Sequence, residues 1–322
     1  MKQKLIFNFN EKDLSNKSKN IYQIIKFKLI VFLFFIFYYL FAVIELKNKE
    51  IKLENLRKST IKKNIRYKQD DLTIVTAYYK IKSKHSYSEY LRRLKDFMRL
   101  NHSIVFFTSK TSINIIKEMR PKYLLNKTIF IKMEIKDFYS YKKFGKEFNE
   151  SFYIDRENSY HTVPLYLIWG EKCSFLRRAI LNNYFNSKCF YWVDAGFFAK
   201  PHSIDKYINW PSTKKCYENP YVLINSIRKV NDLERKDILN FDLKAHKQFQ
   251  RKTNVAGGAF GGQPKYLLKF IDYYYDTIKL FISRKIFIGK DQNLFAFIAF
   301  SHPEIINLVH SRDFHYFLKY LS

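Results

Sequence analysis

The stretch YWVDAGFFAKP (residues 191–201) places one carboxylate, Asp194, between two aromatic runs. The residues before Asp194 are typical of a buried β-strand, because aromatic and β-branched side chains are enriched in strands. Two interpretations of Asp194 are open: it begins a turn with Gly196, or it lies at the edge of a pocket and handles a cation. A carboxylate beside buried residues needs a polar partner, and this favours the pocket.

Short apolar segments alternate with amphipathic ones ahead of this stretch. The predicted strands are LTIVTAYY (72–79), SIVFFTS (103–109) and KTIFIKMEI (127–135), and the predicted helices are SEYLRRLKDFMRL (88–100), SINIIKEMR (112–120) and PLYLIWGEKCSFLRRAILNNYF (164–185). Such alternation predicts an α/β fold with a mixed, mostly parallel sheet flanked by helices. Ligands of these sheets bind beyond the carboxyl ends of the strands, where we expect Asp194.

Half of the glycines lie in TNVAGGAFGGQP (residues 253–264), where Gly257, Gly258, Gly261 and Gly262 are four of the eight in the chain. Glycine lacks a Cβ, so it permits positive φ and a close approach of the backbone to another group. A tight turn accounts for about two of the four. We therefore predict a loop here whose backbone approaches a ligand.

Residues 29–44, LIVFLFFIFYYLFAVI, carry no charge and are flanked by charged residues. This is slightly shorter than the roughly 20 residues that span a typical bilayer core. We predict a short cytoplasmic tail (1–28), one transmembrane signal anchor (29–45), a stem (46–70) and a folded domain (71–322). The expected localisation is single-pass type II, in the Golgi or another secretory-pathway membrane. A cleaved signal peptide and a buried core helix are the alternatives.

Lysine and arginine outnumber aspartate and glutamate by 58 to 29, which gives a formal net charge of +29. Such a surplus suits anionic partners. The lysines are scattered, however, and no zinc-finger spacing or RNP-like segment occurs, so we predict no nucleic-acid partner.

The cysteines at 173, 189 and 216 form no CxxC pattern, which argues against structural zinc and permits one disulfide of undetermined pairing.

Six segments between residues 71 and 303 form an ordered set: TIVTAYY, YSEYLRRLKDFM, PLYLIWGEKCSFLRRAI, FNSKCFYWVDAGFF, AGGAFGG and DQNLFAFIAFSHPE. Together they resemble the HtrL/YibB family of glycosyltransferase-like proteins. The resemblance implies a GT-A-like fold, as in many nucleotide-sugar glycosyltransferases. It also implies transfer of a sugar from a nucleotide-sugar donor to a glycan, glycoprotein or lipid acceptor.

Enzymes of the GT-A class usually hold Mn²⁺ or Mg²⁺ with an Asp-x-Asp motif at a strand end, because a hard cation prefers carboxylate oxygen. Here the motif reads Asp194-Ala195-Gly196, so the second acid is missing and dependence on a divalent metal is left open. The resemblance implies that Asp194 is a catalytic residue and metal ligand. His310, at the end of the last predicted strand, is the second candidate ligand; a structural or solvated histidine is the alternative.

The segment GKDQN adds two candidates. Asp291 either caps a helix or acts as a general base toward the acceptor hydroxyl. The adjacent Gln292 is predicted to orient sugar hydroxyls. Both follow Gly289, so they belong to the start of a predicted helix.

The remaining candidates are predicted to bind substrate. Glu171 and Lys172 lie between apolar flanks of the long predicted helix, and a buried lysine suits a diphosphate; an exposed helical pair is the alternative. Tyr78 lies at the strand end where the resemblance implies stacking on the nucleotide base; an aromatic side chain of the core is the alternative. The glycine segment is predicted to surround the sugar.

A second function stays open beside the enzyme. The incomplete Asp-x-Asp motif also suits a catalytically inactive, glycosyltransferase-like protein that binds glycans or another partner. Donor binding distinguishes the two, because only the enzyme requires a nucleotide sugar.

Overall fold

The structure is a computed structural model, and it describes residues 71–200 and 203–322. Its strands are β1 (Leu72–Tyr78), β2 (Ser103–Thr108), β3 (Thr128–Lys132), β4 (Cys189–Val193), β5 (Val222–Ser226), β6 (Val255–Gly262) and β7 (Ile306–His310). Its α-helices are α1 (Tyr87–Phe97), α2 (Ile113–Met119), α3 (Tyr139–Ile154), α4 (Val163–Asn182), α5 (Lys214–Glu218), α6 (Asp232–Leu239), α7 (Leu243–Arg251), α8 (Pro264–Ser283), α9 (Asp291–Ser301) and α10 (Tyr316–Tyr320). Short 3₁₀ helices cover Lys122–Lys127, Ile135–Asp137 and Ser203–Lys206.

The strands form one seven-stranded sheet in the order β3-β2-β1-β4-β6-β5-β7. Strands β1 to β4 run parallel to one another, β6 runs antiparallel to both β4 and β5, and β7 is parallel to β5. The predicted mixed, mostly parallel sheet flanked by helices is confirmed. Of these seven strands only β6 runs in the opposite direction. Its first residues therefore lie beside the carboxyl ends of the other strands.

Each face of the sheet carries its own hydrophobic core, because side chains alternate between the two faces along a strand. Val75 and Val105 face a cluster that includes Phe175 of α4 and Phe295 of α9. The neighbouring residue Ile74 faces a second cluster with residues of α1. Helices therefore cover both faces, and strand ends are the places left for a ligand.

Helix α4 is the long helix expected from the sequence. Pro164 lies in its first turn, where a missing N–H costs nothing. The helix ends at Asn183, whose φ of 36° is left-handed. Glu171 and Lys172 lie in its middle and are 0% and 2% exposed. The alternative of an exposed helical pair is therefore wrong.

Within the described residues, no helix is both long and apolar enough to cross a bilayer. This finding contradicts the predicted single-pass type II localisation in the Golgi or another secretory-pathway membrane, and that prediction is withdrawn. The predicted tail, anchor and stem (1–70) lie outside the described residues.

One disulfide joins Cys189 at the start of β4 to Cys216 in α5. The sequence allowed one pair without specifying it, and the structure selects this one. Cys173, on α4, is buried and reduced, and burial raises the pKa of its thiol.

Candidate functional site

A cavity of about 970 Å³ opens beyond the carboxyl ends of β1 and β4. Its wall contains residues 77–81, which end and follow β1, and residues 194–197, which follow β4. Ala256 and Gly258 of the reversed strand β6 and residues 312–315 after β7 also belong to it. The cavity therefore lies where a mostly parallel sheet is expected to bind a ligand.

The wall of the cavity includes a buried lysine held by three oxygens. Nζ of Lys172 lies 3.0 Å from Oδ1 of Asp194 and 2.8 Å from Oδ2 of Asp291. It also donates a hydrogen bond of 3.0 Å to the carbonyl oxygen of Gly257. Helix α4 thus contacts the end of β4, the start of α9 and strand β6 through one ammonium group.

Electrostatics keep that ammonium charged. Burial alone lowers the pKa of Lys172, but the charges of Asp194 and Asp291 outweigh it, so the pKa lies above its usual value. Burial raises the pKa of Asp291, and the ion pair with Lys172 opposes that rise. The ring of Trp192 adds a further contact, with its centroid 5.6 Å from Nζ.

Asp194 combines features of both interpretations, a turn and a carboxylate beside a cation. Its backbone makes a turn, in which the Phe197 N–H donates to the Asp194 carbonyl oxygen at 2.9 Å. Its carboxylate also handles a cation, which is the ammonium of Lys172. Oδ1 also accepts a hydrogen bond of 2.7 Å from Nε1 of Trp192, and the side chain remains 38% exposed. Asp194 is therefore a fixed carboxylate that still faces the cavity.

Asp291 lies behind Lys172. It is the first residue of α9, its Oδ1 accepts from the N–H of Gln292 at 2.8 Å, and Lys290 takes the helix-capping position. Neither Asp291 nor Gln292 belongs to the cavity wall, and Asp291 is 4% exposed. The structure thus links Asp291 to the cavity through Lys172; its predicted role as a base and that of Gln292 on sugar hydroxyls stay predictions.

Glu171 points its carboxylate at the start of another helix. Oε1 accepts from the N–H of Tyr139 at 3.0 Å, and Oε2 accepts from the N–H of Ser140 at 2.8 Å. These are the first residues of α3, whose amide groups have no partner within the helix. Burial raises the pKa of Glu171, and these hydrogen bonds oppose it. Glu171 lies outside the cavity wall. Its carboxylate caps the start of α3 through these two hydrogen bonds.

The glycine segment is strand β6 and not the predicted loop. A Cβ on Gly257 would lie 2.9 Å from Oδ2 of Asp291, and one on Gly258 would lie 3.5 Å from Oδ2 of Asp194. Gly261 and Gly262 instead meet backbone, at 2.4 Å from the Phe190 oxygen and 2.5 Å from the Tyr221 oxygen. Of the four glycines, only Gly258 lines the cavity. Close approach is thus the reason for Gly257, Gly261 and Gly262, whereas a Cβ on Gly258 would make an ordinary contact, and none of the four has a positive φ.

Tyr78 and His310 lie in different surroundings. Tyr78 ends β1, lines the cavity and is 8% exposed; burial raises the pKa of its hydroxyl to about 12. His310 ends β7 opposite Ser226, is exposed, and does not belong to the cavity wall. The structure brings Tyr78 and Asp194 to one cavity and leaves His310 outside it.

One group among the described residues has ligand atoms close enough for a metal. Atoms of Asp155, Glu157 and His161 lie within 4.8 Å of one another. They already have partners, since Asp155 Oδ2 lies 2.7 Å from His161 Nδ1 and accepts from the Tyr166 hydroxyl at 2.6 Å, and Glu157 pairs with Lys290. Asp194 and His310 belong to no such group in the part of the chain that the structure describes.

Four cations in the cavity wall were missed from the sequence: Lys80, Lys84, Arg93 and Arg312. Lys80 and Lys84 follow β1 directly, and this position beyond a strand end was the only signal for them. Arg93 lies on α1 and Arg312 follows β7, so the fold alone brings these two to the cavity. The wall also holds the aromatic rings of Tyr87, Tyr90 and Trp169.

Comparisons with known proteins place the chain in a family. No curated protein matches it. Among solved structures, it is similar to 4-diphosphocytidyl-2C-methyl-D-erythritol synthase from Anaerococcus prevotii, with 12% sequence identity and a TM-score of 0.33, over 80% of this chain and 97% of that one. The family model described as a bacterial protein of unknown function, HtrL_YibB, matches residues 70–322. The chain therefore belongs to the HtrL/YibB family.

Proposed function

We propose that this protein is a glycosyltransferase with a GT-A-like fold that moves a sugar from a nucleotide-sugar donor to a glycan, glycoprotein or lipid acceptor. The observation that carries the proposal is the cavity beyond β1 and β4, into which the fixed carboxylate of Asp194 faces. Its volume of about 970 Å³ suits a ligand of nucleotide-sugar size, since small-molecule sites measure roughly 300–1,000 Å³.

The chemistry of the wall supports an anionic ligand that contains rings. Tyr78, Tyr87, Tyr90 and Trp169 offer aromatic surface for a base or a sugar. Four cations in the wall, Lys80, Lys84, Arg93 and Arg312, suit phosphate oxygens. A nucleoside diphosphate sugar combines these features in one molecule.

The phosphates are best assigned to those wall cations and not to Lys172, as the sequence had suggested. An ammonium has three N–H donors, and three protein oxygens already lie within 3.0 Å of Nζ of Lys172. Lys80, Lys84 and Arg312 are exposed to the cavity. They are therefore available to neutralise the negative charge that develops on a departing diphosphate.

Asp194 is the proposed catalytic carboxylate. It is 38% exposed beside the cavity, whereas the Asp291 side chain is 5% exposed. In this role Asp194 accepts a hydrogen bond or a proton from a sugar hydroxyl. Asp291 then acts through Lys172, by holding the ammonium that orients Asp194.

Donor binding tests the proposal. A panel of UDP- and GDP-sugars is titrated into the purified protein by calorimetry, with Mn²⁺ and with EDTA. We expect one donor class to bind, and to bind more weakly to Arg312→Ala than to the control Lys110→Ala, whose residue lies outside the cavity wall. If no nucleotide sugar binds under either condition, the enzyme proposal is wrong.

The second candidate is a catalytically inactive protein that binds a glycan in the same cavity. Gly196 favours it, because the second acid of the Asp-x-Asp motif is missing there. The aromatic wall suits a sugar ring without any nucleotide. Binding of free oligosaccharides, together with failure of all nucleotide sugars, would select this candidate.

A further inference from the structure

We propose that the Lys172 ammonium is the built-in cation of this site and takes the position that a divalent metal would need. Oxygens from three separate elements surround Nζ: Asp194 after β4, Asp291 at the start of α9, and the carbonyl of Gly257 in β6. Two carboxylates and a carbonyl are the ligand types that hard divalent cations prefer. Here they enclose a side chain of the protein itself.

The geometry matches an ammonium. Three acceptor oxygens lie around a group that has three N–H donors; the Gly257 carbonyl accepts a hydrogen bond, and the two carboxylates form ion pairs. The oxygens lie 2.8 to 3.0 Å from Nζ, whereas Mg²⁺ requires about 2.0–2.1 Å and Ca²⁺ about 2.3–2.6 Å. The carboxylate of Asp291 also lies close against β6, because a Cβ on Gly257 would lie 2.9 Å from its Oδ2.

A metal at Asp194 does not fit the residues present. Oδ1 of Asp194 is engaged by both Lys172 and Trp192. The second acid of a metal motif is replaced by Gly196, where a Cβ would lie 3.6 Å from Tyr90 and 3.8 Å from Arg93. Two like unit charges about 4 Å apart repel by about 4 kcal/mol at an effective dielectric constant near 20, and more for a divalent ion. The neighbouring ammonium therefore opposes a metal.

The consequence is that the chain's own lysine neutralises the carboxylates of Asp194 and Asp291. Ligand binding in the cavity is then independent of divalent metals. This inference stands without the proposed function, because Mn²⁺ binding is measured with no substrate present.

The experiment titrates Mn²⁺ into the full-length protein and follows free Mn²⁺ by electron paramagnetic resonance. Wild type and Asp194→Asn are compared first. We expect equal Mn²⁺ binding by the two, because no metal uses Asp194. Binding of one additional Mn²⁺ by wild type would overturn the inference. Any ion held at the Asp155 group cancels in this comparison.

A second variant tests the oxygen shell itself. Lys172→Ala leaves two carboxylates and a carbonyl without their cation, so we expect it to gain a Mn²⁺ site and a Mn²⁺-dependent rise in melting temperature. The matched variant Lys172→Ala/Asp291→Asn should gain neither. A folded Lys172→Ala protein that gains no Mn²⁺ site would contradict the inference. If circular dichroism shows Lys172→Ala to be unfolded, the first comparison decides.

Discussion

The ammonium of Lys172 lies 3.0 Å from Oδ1 of Asp194, although the two residues belong to different elements of the fold. Asp194 directly follows the central strand β4, and Lys172 contacts it from the middle of α4. This ion pair connects a buried lysine to the carboxylate that faces the cavity. We therefore expect it to affect both the stability of the protein and ligand binding.

Replacing Lys172 by methionine should destabilise the protein strongly. The change leaves Asp291, whose side chain is 5% exposed, without its cation. Removing one partner of a buried ion pair typically costs about 3–5 kcal/mol. Urea unfolding measures the loss. The control is Lys279→Met, which removes an exposed lysine paired with Asp276 and should leave the midpoint unchanged. Equal effects of the two substitutions would contradict the assignment.

The two adjacent glycines of β6 should respond differently to alanine. A Cβ on Gly257 would lie 2.9 Å from Asp291, so the carboxylate that holds Lys172 must shift. A Cβ on Gly258 would lie 3.5 Å from Asp194, which is ordinary contact. We expect Gly257→Ala to lower the melting temperature and Gly258→Ala to affect chiefly binding in the cavity. Thermal melts of both variants check this, and the reverse order would show that the packing around Lys172 is misassigned.

Gly261→Ala should destabilise the sheet without any connection to a ligand. Its Cβ would lie 2.4 Å from the backbone oxygen of Phe190, a group that cannot move aside. The control is Gly145→Ala in α3, where the nearest atom lies at 3.7 Å. A contact at that distance leaves room for the added methyl group, so the control should be close to neutral. Chemical denaturation of both variants gives the comparison, and a tolerated alanine at 261 would refute the close strand pairing.

The disulfide between Cys189 and Cys216 should contribute to stability in the oxidised protein. Its sequence separation is 27 residues. A loop of that size corresponds to about 3.5 kcal/mol in the chain-entropy model. Dithiothreitol should therefore lower the urea midpoint of wild type. The double variant Cys189→Ala/Cys216→Ala should not respond, and a response of equal size in it would point to another origin.

The wall cations should control the affinity for a nucleoside diphosphate. Arg312→Ala and Lys84→Ala each remove a charged group from the cavity wall. A hydrogen bond to a charged group is worth about 1.5–3 kcal/mol, so each variant should bind UDP or GDP about 10-fold or more weakly. Higher ionic strength should weaken wild-type binding as well. Calorimetry against Lys110→Ala provides the control, and unchanged affinity in both variants would exclude the phosphate assignment.

The sheet and the position of Asp194 were predictable from local sequence. Apolar strands such as residues 72–79 carry their own pattern, and a carboxylate after the buried strand 189–193 pointed to a pocket at the strand end. The periodicity of residues 164–185 likewise located helix α4.

The partners of Asp194 were not predictable, because they come from distant parts of the chain. Lys172 and Asp291 are separated by α5 to α8, and no local pattern reports their contact. The glycine segment was wrongly predicted to be a loop for a similar reason. Gly261 is required by the proximity of β4, which the fold alone creates, so its sequence reads as a loop although it forms a strand.

The most direct test of the proposed function is donor hydrolysis by wild type, Asp194→Asn and the control Asp272→Asn, an exposed aspartate on α8. Release of UDP or GDP from a panel of nucleotide sugars is measured beside each melting temperature. The proposal predicts hydrolysis by wild type and the control, and none by Asp194→Asn, with all three melting temperatures within a few degrees. Hydrolysis that survives in Asp194→Asn, or a wild type that hydrolyses no donor, would contradict it.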